Sequence, residues 1–212
     1  MPKGIPPLLG RIVAGLLAAL FALSATAAAG LSGPQQVVQE VSDGLTKVLR
    51  EDRSLLQNDP KYVYRLVDTL FLPHVDLERV SALALGPYWH RASLRQREAF
   101  SEAFKNLLIR TYATALNELS EWKIRYLPTR VEPGDHDVLV RTQVLQPGGN
   151  PIQVDYRMYE KDGRWLAYDV AVAGVSLITN YRNTFMTLAR QKGLDGLIAD
   201  LAARNAMRQP HS

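Results

Sequence analysis

The hydrophobic period of this chain changes twice, and the order of those changes restricts the fold more than any other feature. From Val37 to about Leu119 apolar residues recur at helical spacing, from Trp122 to Val172 they alternate, and after Gly174 the helical spacing returns. Strands gathered in one block between helices describe an α+β domain, whereas βαβ units would interleave the two periods.

Each element carries its own punctuation. Ser32-Gly33-Pro34-Gln35 caps a first helix with Val37, Val38, Val41, Leu45, Val48 and Leu49 on one face, and Asn58-Asp59-Pro60 starts a second, ended by Pro73. Asp76 caps a short third helix that Gly86-Pro87 stops, and Ser93-Leu94-Arg95-Gln96 is a capping box for the longest, Leu94 to Leu119. The inner face of that long helix reads Phe100, Phe104, Leu107, Leu108, Tyr112, Ala115 and Leu116.

Four strands are expected: Trp122 to Val131, Asp137 to Leu145, Ile152 to Glu160 and Arg164 to Val172. The turns between them contain Pro-Gly-Asp, Pro-Gly-Gly-Asn-Pro and Asp-Gly, the signals of an antiparallel meander. In the third strand Ile152, Val154, Tyr156 and Met158 alternate with Gln153, Asp155, Arg157 and Tyr159, so the sheet has one covered and one wetter face. Helical spacing then runs through Leu177, Ile178, Tyr181, Phe185 and Leu188, stops at Gly193 and resumes through Leu201, before a polar tail expected to fray.

The N-terminus reads as an export signal. Lys3 and Arg11 precede the apolar run Ile12 to Leu23, and Ser24-Ala25-Thr26-Ala27-Ala28-Ala29 offers small residues for cleavage after Ala27 or Ala29. An uncleaved anchor is the alternative, since Ile12 to Ala29 is nearly long enough to cross a bilayer. The expected organisation is therefore a signal peptide at 1–29, one α+β domain at 30–204 and a polar tail at 205–212.

Charge arguments shrink once this segment is set aside. The 25 Lys+Arg and 21 Asp+Glu give a formal +4, and losing Lys3 and Arg11 leaves about +2. With no aromatic interleaving on a basic face, nucleic-acid binding is excluded as a reading. The chain has no Cys, which removes thiol nucleophiles, thiolate metal sites and N-terminal lipidation at cysteine, and leaves stability to the core alone.

Catalytic signatures are missing as well. There is no G-x-S-x-G, no P-loop, no G-x-G-x-x-G and no H-E-x-x-H, and His74, His90, His136 and His211 have no metal-ligand spacing. The pairs Asp155-Tyr156 and Tyr168-Asp169 cannot each form a dyad, because neighbours on a strand point to opposite faces. A structural role for Asp169, bonded to backbone or to an Arg, is expected. Arg91, Arg95 and Arg97 read as a solvated helix face, with headgroup or partner contact as the alternative. Lys123, Arg125 and Arg130 form a second basic group.

Three segments in order carry a resemblance to a known family. Leu72-Pro73-His74-Val75-Asp76-Leu77 with Leu85-Gly86-Pro87-Tyr88-Trp89, then Arg97 to Leu116, then Tyr168 to Phe185 are similar to the MlaC-type periplasmic phospholipid carriers, the toluene-tolerance auxiliary family. The resemblance spans about Pro34 to Leu201.

It implies an NTF2-like curved four-stranded antiparallel sheet covered on one face by several helices, enclosing acyl chains between sheet and helices. It also implies a monomeric shuttle for phospholipid between an inner-membrane ABC-type transporter complex and an outer-membrane lipoprotein complex, maintaining outer-membrane lipid asymmetry. No enzymatic activity and no cofactor are implied, the phospholipid being cargo. By face assignment the lipid-lining candidates are Tyr88, Trp89, Phe100, Phe104, Tyr112, Val140, Val154, Tyr156, Met158, Val170, Ile178, Tyr181 and Phe185. The same residues would also suit a packed core. The competing readings are an NTF2-like enzyme acting on a small hydrophobic substrate, which needs an ionisable group such as Asp155 or Asp169 inside the pocket, and an envelope adaptor without lipid.

Overall fold

The computed structural model describes residues 32–116 and 123–206, so the expected signal peptide, Trp122 and the end of the tail lie outside the described residues. Helix α1 is Gly33–Glu51, α2 Arg53–Asn58 and α3 Pro60–Leu66. After a π turn and a 3-10 turn come α4 Leu77–Leu85, α5 Pro87–Arg91 and α6 Leu94–Leu116. Strands β1 Lys123–Tyr126, β2 Asp137–Leu145, β3 Ile152–Lys161, β4 Arg164–Val172 and β5 Val175–Ser176 precede the last helix, α7 Leu177–Ala206.

The caps act where the sequence places them. The Ser32 N–H donates to Gln35 Oε1 at 3.1 Å, Asp59 accepts from the Lys61 N–H at 2.9 Å and Asp76 from the Arg79 N–H at 2.8 Å. Ser93 and Gln96 bond reciprocally, Ser93 N–H to Gln96 Oε1 at 3.0 Å and Gln96 N–H to Ser93 Oγ at 3.2 Å. Pro73 has no N–H for the carbonyl four residues back, and ahead of it the helix widens into a π turn at Val67–Phe71 and ends as a 3-10 turn at Leu72–His74. Gly193, at φ 72° and ψ 176°, breaks the helical path inside α7. Arg204 to Ala206 are helical where fraying was expected, because the Asn205 amide donates to the Ala103 carbonyl at 2.9 Å and Arg110 to the Arg204 carbonyl at 2.6 Å.

The strands form one antiparallel sheet in the order β1-β2-β3-β4-β5. The first strand is shorter than its alternation suggests. Leu127 still donates to the Arg141 carbonyl at 3.0 Å, but Pro128 has no N–H with which to continue the ladder. The fifth strand was not anticipated: Ala173 at φ 49° and Gly174 at φ 82° make a two-residue hairpin turn that folds Val175 back beside Val172.

Buried apolar residues fall into three clusters. One joins α4 to α7 through Val80, Leu85, Trp89, Phe100, Phe104, Ile178, Phe185, Leu197 and Leu201, reaching Tyr168 of β4. A second holds the end of α1 against α3 and α6 through Leu49, Leu56, Val63, Leu66 and Ile109. The third packs Val38 of α1 on Val138, Val140 and Met158 of the sheet.

Asp76 ties the helical layer to the sheet. Its backbone N–H donates to the Ala167 carbonyl at 3.0 Å, its carboxylate accepts the Tyr159 hydroxyl, and Lys161 Nζ lies 3.7 Å away. Burial alone would raise its pKa, but the Tyr159 hydroxyl, the Arg79 N–H and Lys161 outweigh burial and hold it below its ordinary value of 3.8. A depressed folded-state pKa contributes stability that is present above the unfolded value and lost as pH falls through the folded one. Urea unfolding between pH 5 and 2 should therefore show an acid loss of stability that is smaller in Asp76→Asn, which keeps a capping side chain but has no proton to gain.

Candidate functional site

Register defines two sheet faces. Val138, Val140, Thr142 and Val144 of β2 stand opposite Met158, Tyr156, Val154 and Ile152 of β3, while Tyr156 and Val154 pair onward with Val170 and Val172 of β4. Ile124 and Tyr126 of β1 extend this face on one side and Val175 of β5 on the other. Of these thirteen positions only Thr142 is polar without an aromatic ring. Its hydroxyl is spent on the Val154 carbonyl at 3.0 Å.

Helix α1 covers only part of this surface. Val37 and Val38 pack on Val138, Val140, Met158, Tyr126, Tyr156, Trp165 and Ala167, and the Gln35 amide anchors the helix by donating to the Leu127 carbonyl at 2.9 Å. Beyond that contact the same face continues through Ile124, Val144, Ile152 and Val170, half-buried, to Val172 and Val175, which are 40% and 58% exposed. None of these six belongs to a buried cluster. An apolar strip that no side chain of the described residues fully covers is the feature of a ligand surface.

The sequence-derived lining residues therefore divide. Val140, Val154, Tyr156, Met158 and Val170 share the apolar sheet face, as alternation required. Tyr88, Trp89, Phe100, Phe104, Ile178, Tyr181 and Phe185 belong to the helical cluster instead. Phe100 stands edge-on to Phe185 at 5.4 Å, and Phe104 edge-on to Phe185 at 5.1 Å and to Tyr181 at 5.4 Å, so these rings face one another. Tyr112 lies at the margin of the helical group, 39% exposed and hydrogen-bonded to Tyr181.

Polar groups at the site are hydroxyls. Burial pushes the Tyr156 phenol up to about 12 despite a hydrogen bond with Thr142, so it stays neutral across the physiological range. Burial also raises Tyr126, which reaches Ser42 of α1, and raises Tyr112, where the neighbouring Tyr181 adds to the effect. A neutral surface of this kind can hold hydrocarbon.

The two carboxylates considered for an enzymatic role lie elsewhere. Asp155 stands on the other face, opposite Arg141 and Ala171, and accepts the Gln153 amide at 2.8 Å. A register shift at Arg157/Met158 puts Tyr168 and Asp169 together on that face, where Asp169 accepts the Ser176 hydroxyl at 2.7 Å and the Ile178 N–H at 3.4 Å. This is the structural role expected of it. Arg97, from the first basic group, donates to the Trp89 carbonyl at 3.1 Å. A separate polar cleft of about 320 Å³ lies between Val75, Asp76 and Leu77 and the β3–β4 hairpin. Its carboxylate is already bonded as described above. Among the described residues no helix is long and apolar enough to cross a membrane.

The architecture is that of an NTF2-like α+β protein, a meander sheet with an apolar face partly covered by helix α1. Within that class the chain belongs to the MlaC protein family, whose match covers residues 39–203. It is 31% identical over 185 residues to the intermembrane phospholipid transport system binding protein MlaC of Haemophilus influenzae, covering 85% of this chain and 86% of that protein. It is 26% identical to toluene tolerance protein ttg2D of Pseudomonas putida, over 76% of this chain and 75% of that one. A solved structure, the phospholipid-binding protein from Ralstonia solanacearum in complex with a phospholipid, matches with a TM-score of 0.78 and 32% identity, covering 83% of this chain and 98% of that chain.

The division of the aromatic residues has a measurable consequence. Phe104→Ala opens a hole among three rings and should cost about 3–5 kcal/mol. Val175→Arg, on the open strip, should change stability by no more than about 0.5 kcal/mol. Equilibrium urea unfolding of the two variants checks the contrast.

Proposed function

We propose that this chain is a soluble periplasmic phospholipid carrier, holding acyl chains against the apolar face of its sheet and leaving the headgroup toward solvent. The observation that carries this reading is the strip from Ile124 through Val170 to Val175, apolar throughout and only part covered by α1. The likeness to a chain that holds a phospholipid supports it.

Burying about 30 methylenes of a two-chain lipid at about 0.8 kcal/mol each is worth on the order of 24 kcal/mol, so lipid does not cross water unaided at useful rates. A bilayer offers the same burial. The carrier therefore gains little net driving force, and release requires a partner that opens or replaces the pocket. The inner-membrane ABC-type complex and the outer-membrane lipoprotein complex are the proposed partners, and maintenance of outer-membrane lipid asymmetry the proposed outcome. The protein acts without cofactor and without catalysis; Asp155 and Asp169, the groups an enzyme would need in the pocket, point away from the apolar strip. The lining comprises Val154, Tyr156 and Val170 with Val172 and Val175, while Phe100, Phe104 and Phe185 keep the helical layer rigid.

Protein purified without detergent should yield phospholipid on organic extraction and mass spectrometry. Reproducible absence of lipid would sink the carrier reading. Val170→Asp, which places a charge on the strip, should lose the extracted lipid while retaining native circular dichroism; equal retention would remove Val170 from the lining. The export reading is checked by intact mass: the periplasmic form should begin at Ala28 or Gly30, and a full-length membrane-bound form would favour the anchor.

A further inference from the structure

Charge is distributed unevenly along the sheet. Two hairpin turns lie at the end where the apolar strip opens, since Val144 pairs with Ile152, Val154 with Val172 and Val172 with Val175. Neither the thirteen residues from Thr142 to Val154 nor the twelve from Val170 to Tyr181 include a charged side chain, although 22% of the chain is charged. Pro147 to Pro151 and Val172 to Val175 are exposed, so burial does not explain the lack of charge. The opposite end of the same sheet is crowded with charge, with Asp135 and Asp137 at the start of β2 and Glu160, Lys161, Asp162 and Arg164 about the β3–β4 turn.

The two ends can be compared turn for turn. Asp162-Gly163, at φ 52° and 73°, and Ala173-Gly174, at φ 49° and 82°, are two-residue hairpin loops of the same left-handed kind. Asp suits that region because its short polar side chain bonds locally, whereas Ala has no such compensation and a Cβ that crowds the neighbouring carbonyl. Ala173 keeps the tip apolar at a cost in backbone conformation. Val172 and Val175, 40% and 58% exposed, flank it, and an exposed apolar run of this kind marks a surface with an occupant.

The charges bordering this end suit a phospholipid surface. Lys123, opposite Leu145, and Arg125, opposite Gln143, are exposed cations of β1. Asp155, one residue further in on the charged face, takes the Gln153 amide at 2.8 Å, and Asp169 takes the Ser176 hydroxyl at 2.7 Å. We infer that the Val172–Val175 hairpin dips into the boundary between headgroups and acyl chains of a phospholipid bilayer, which makes the apolar strip continuous with the hydrocarbon. Its depth is limited to that boundary, because the backbone groups of the turn still need water. A protein partner is the poorer fit, since the residues that anchor protein interfaces are Trp, Tyr and Arg and the tip has only Val, Ala and Gly. The inference rests on the carrier reading, for which a bilayer is where lipid is collected or delivered.

Because the chain has no Cys, one introduced thiol carries one label. Protein recovered from the periplasm, with removal of the leader verified by intact mass, is labelled with an environment-sensitive fluorophore at Ala173→Cys or, in the opposite hairpin, at Asp162→Cys. Each is mixed with vesicles of phosphatidylglycerol and phosphatidylcholine. The label at position 173 should shift to the blue, and the label at position 162 should not. In sedimentation with the same vesicles, unlabelled Ala173→Asp should partition at least about fivefold more weakly than the unaltered protein. It should nevertheless melt at or above it, because Asp suits the left-handed turn as Asp162 does. Co-extracted phospholipid should be unchanged in this variant, so failure of the carrier reading, seen as absence of lipid from every form, is told apart from failure of docking. No shift at position 173, equal shifts at both positions, or equal partition of Ala173→Asp overturns the proposal. So does a shift that needs membrane proteins in the vesicles, which would make the occupant a protein.

Discussion

Strand β3 is hydrogen-bonded along its length to β2 on one side and to β4 on the other, and the rest of the structure depends on that double pairing. Strand side chains have a period of two, so fixing the register of β3 fixes which residues of three strands share a face. A slip of one residue would send Tyr156 and Met158 to the side of Arg141 and bring Asp155 and Arg157 under α1. The hydrophobic cost of that exchange keeps the register unique and makes one apolar face and one charged face obligatory.

The helices do not all serve that apolar face. Helix α1 lies on it with its first turns, whereas the aromatic cluster of α6 and α7 is closed on itself through Phe100, Phe104 and Phe185. That cluster meets the sheet through Tyr168 and Tyr159, which stand on the charged face. Because it packs on the charged side, this layer leaves the apolar face to α1, which covers only part of it.

Polar contacts then fix how the helical layer meets the sheet. Arg79 of α4 lies over the rings of Tyr159 and Tyr168, 4.0 and 3.9 Å from their centroids, and Asp76 at the start of the same helix takes the Tyr159 hydroxyl. Tyr168 reaches this corner because of the β4 register shift, and its hydroxyl donates to Asp137 at 2.9 Å. These directional bonds sit at one end of the sheet, while the open strip from Val170 to Val175 lies towards the other.

Much of this was legible in the amino acids. The caps at Ser32, Asp59, Asp76 and Ser93, the two-sidedness of β3 and the interruption at Gly193 all depend on residues within a few positions of one another, and so does the order of helices and strands. The β4 register shift and the β5 hairpin were not legible, since one depends on what β3 presents across the ladder and the other on Ala173 accepting a positive φ that its sequence does not advertise. The same limit governs the site. Alternation placed Val154, Tyr156 and Val170 on one face, but an apolar residue looks alike in sequence whether it meets a neighbouring ring, as Phe104 does, or is left half-covered, as Val170 is. Sequence fixes local periodicity and therefore the face. Only the tertiary structure decides which other surface, if any, arrives to cover it.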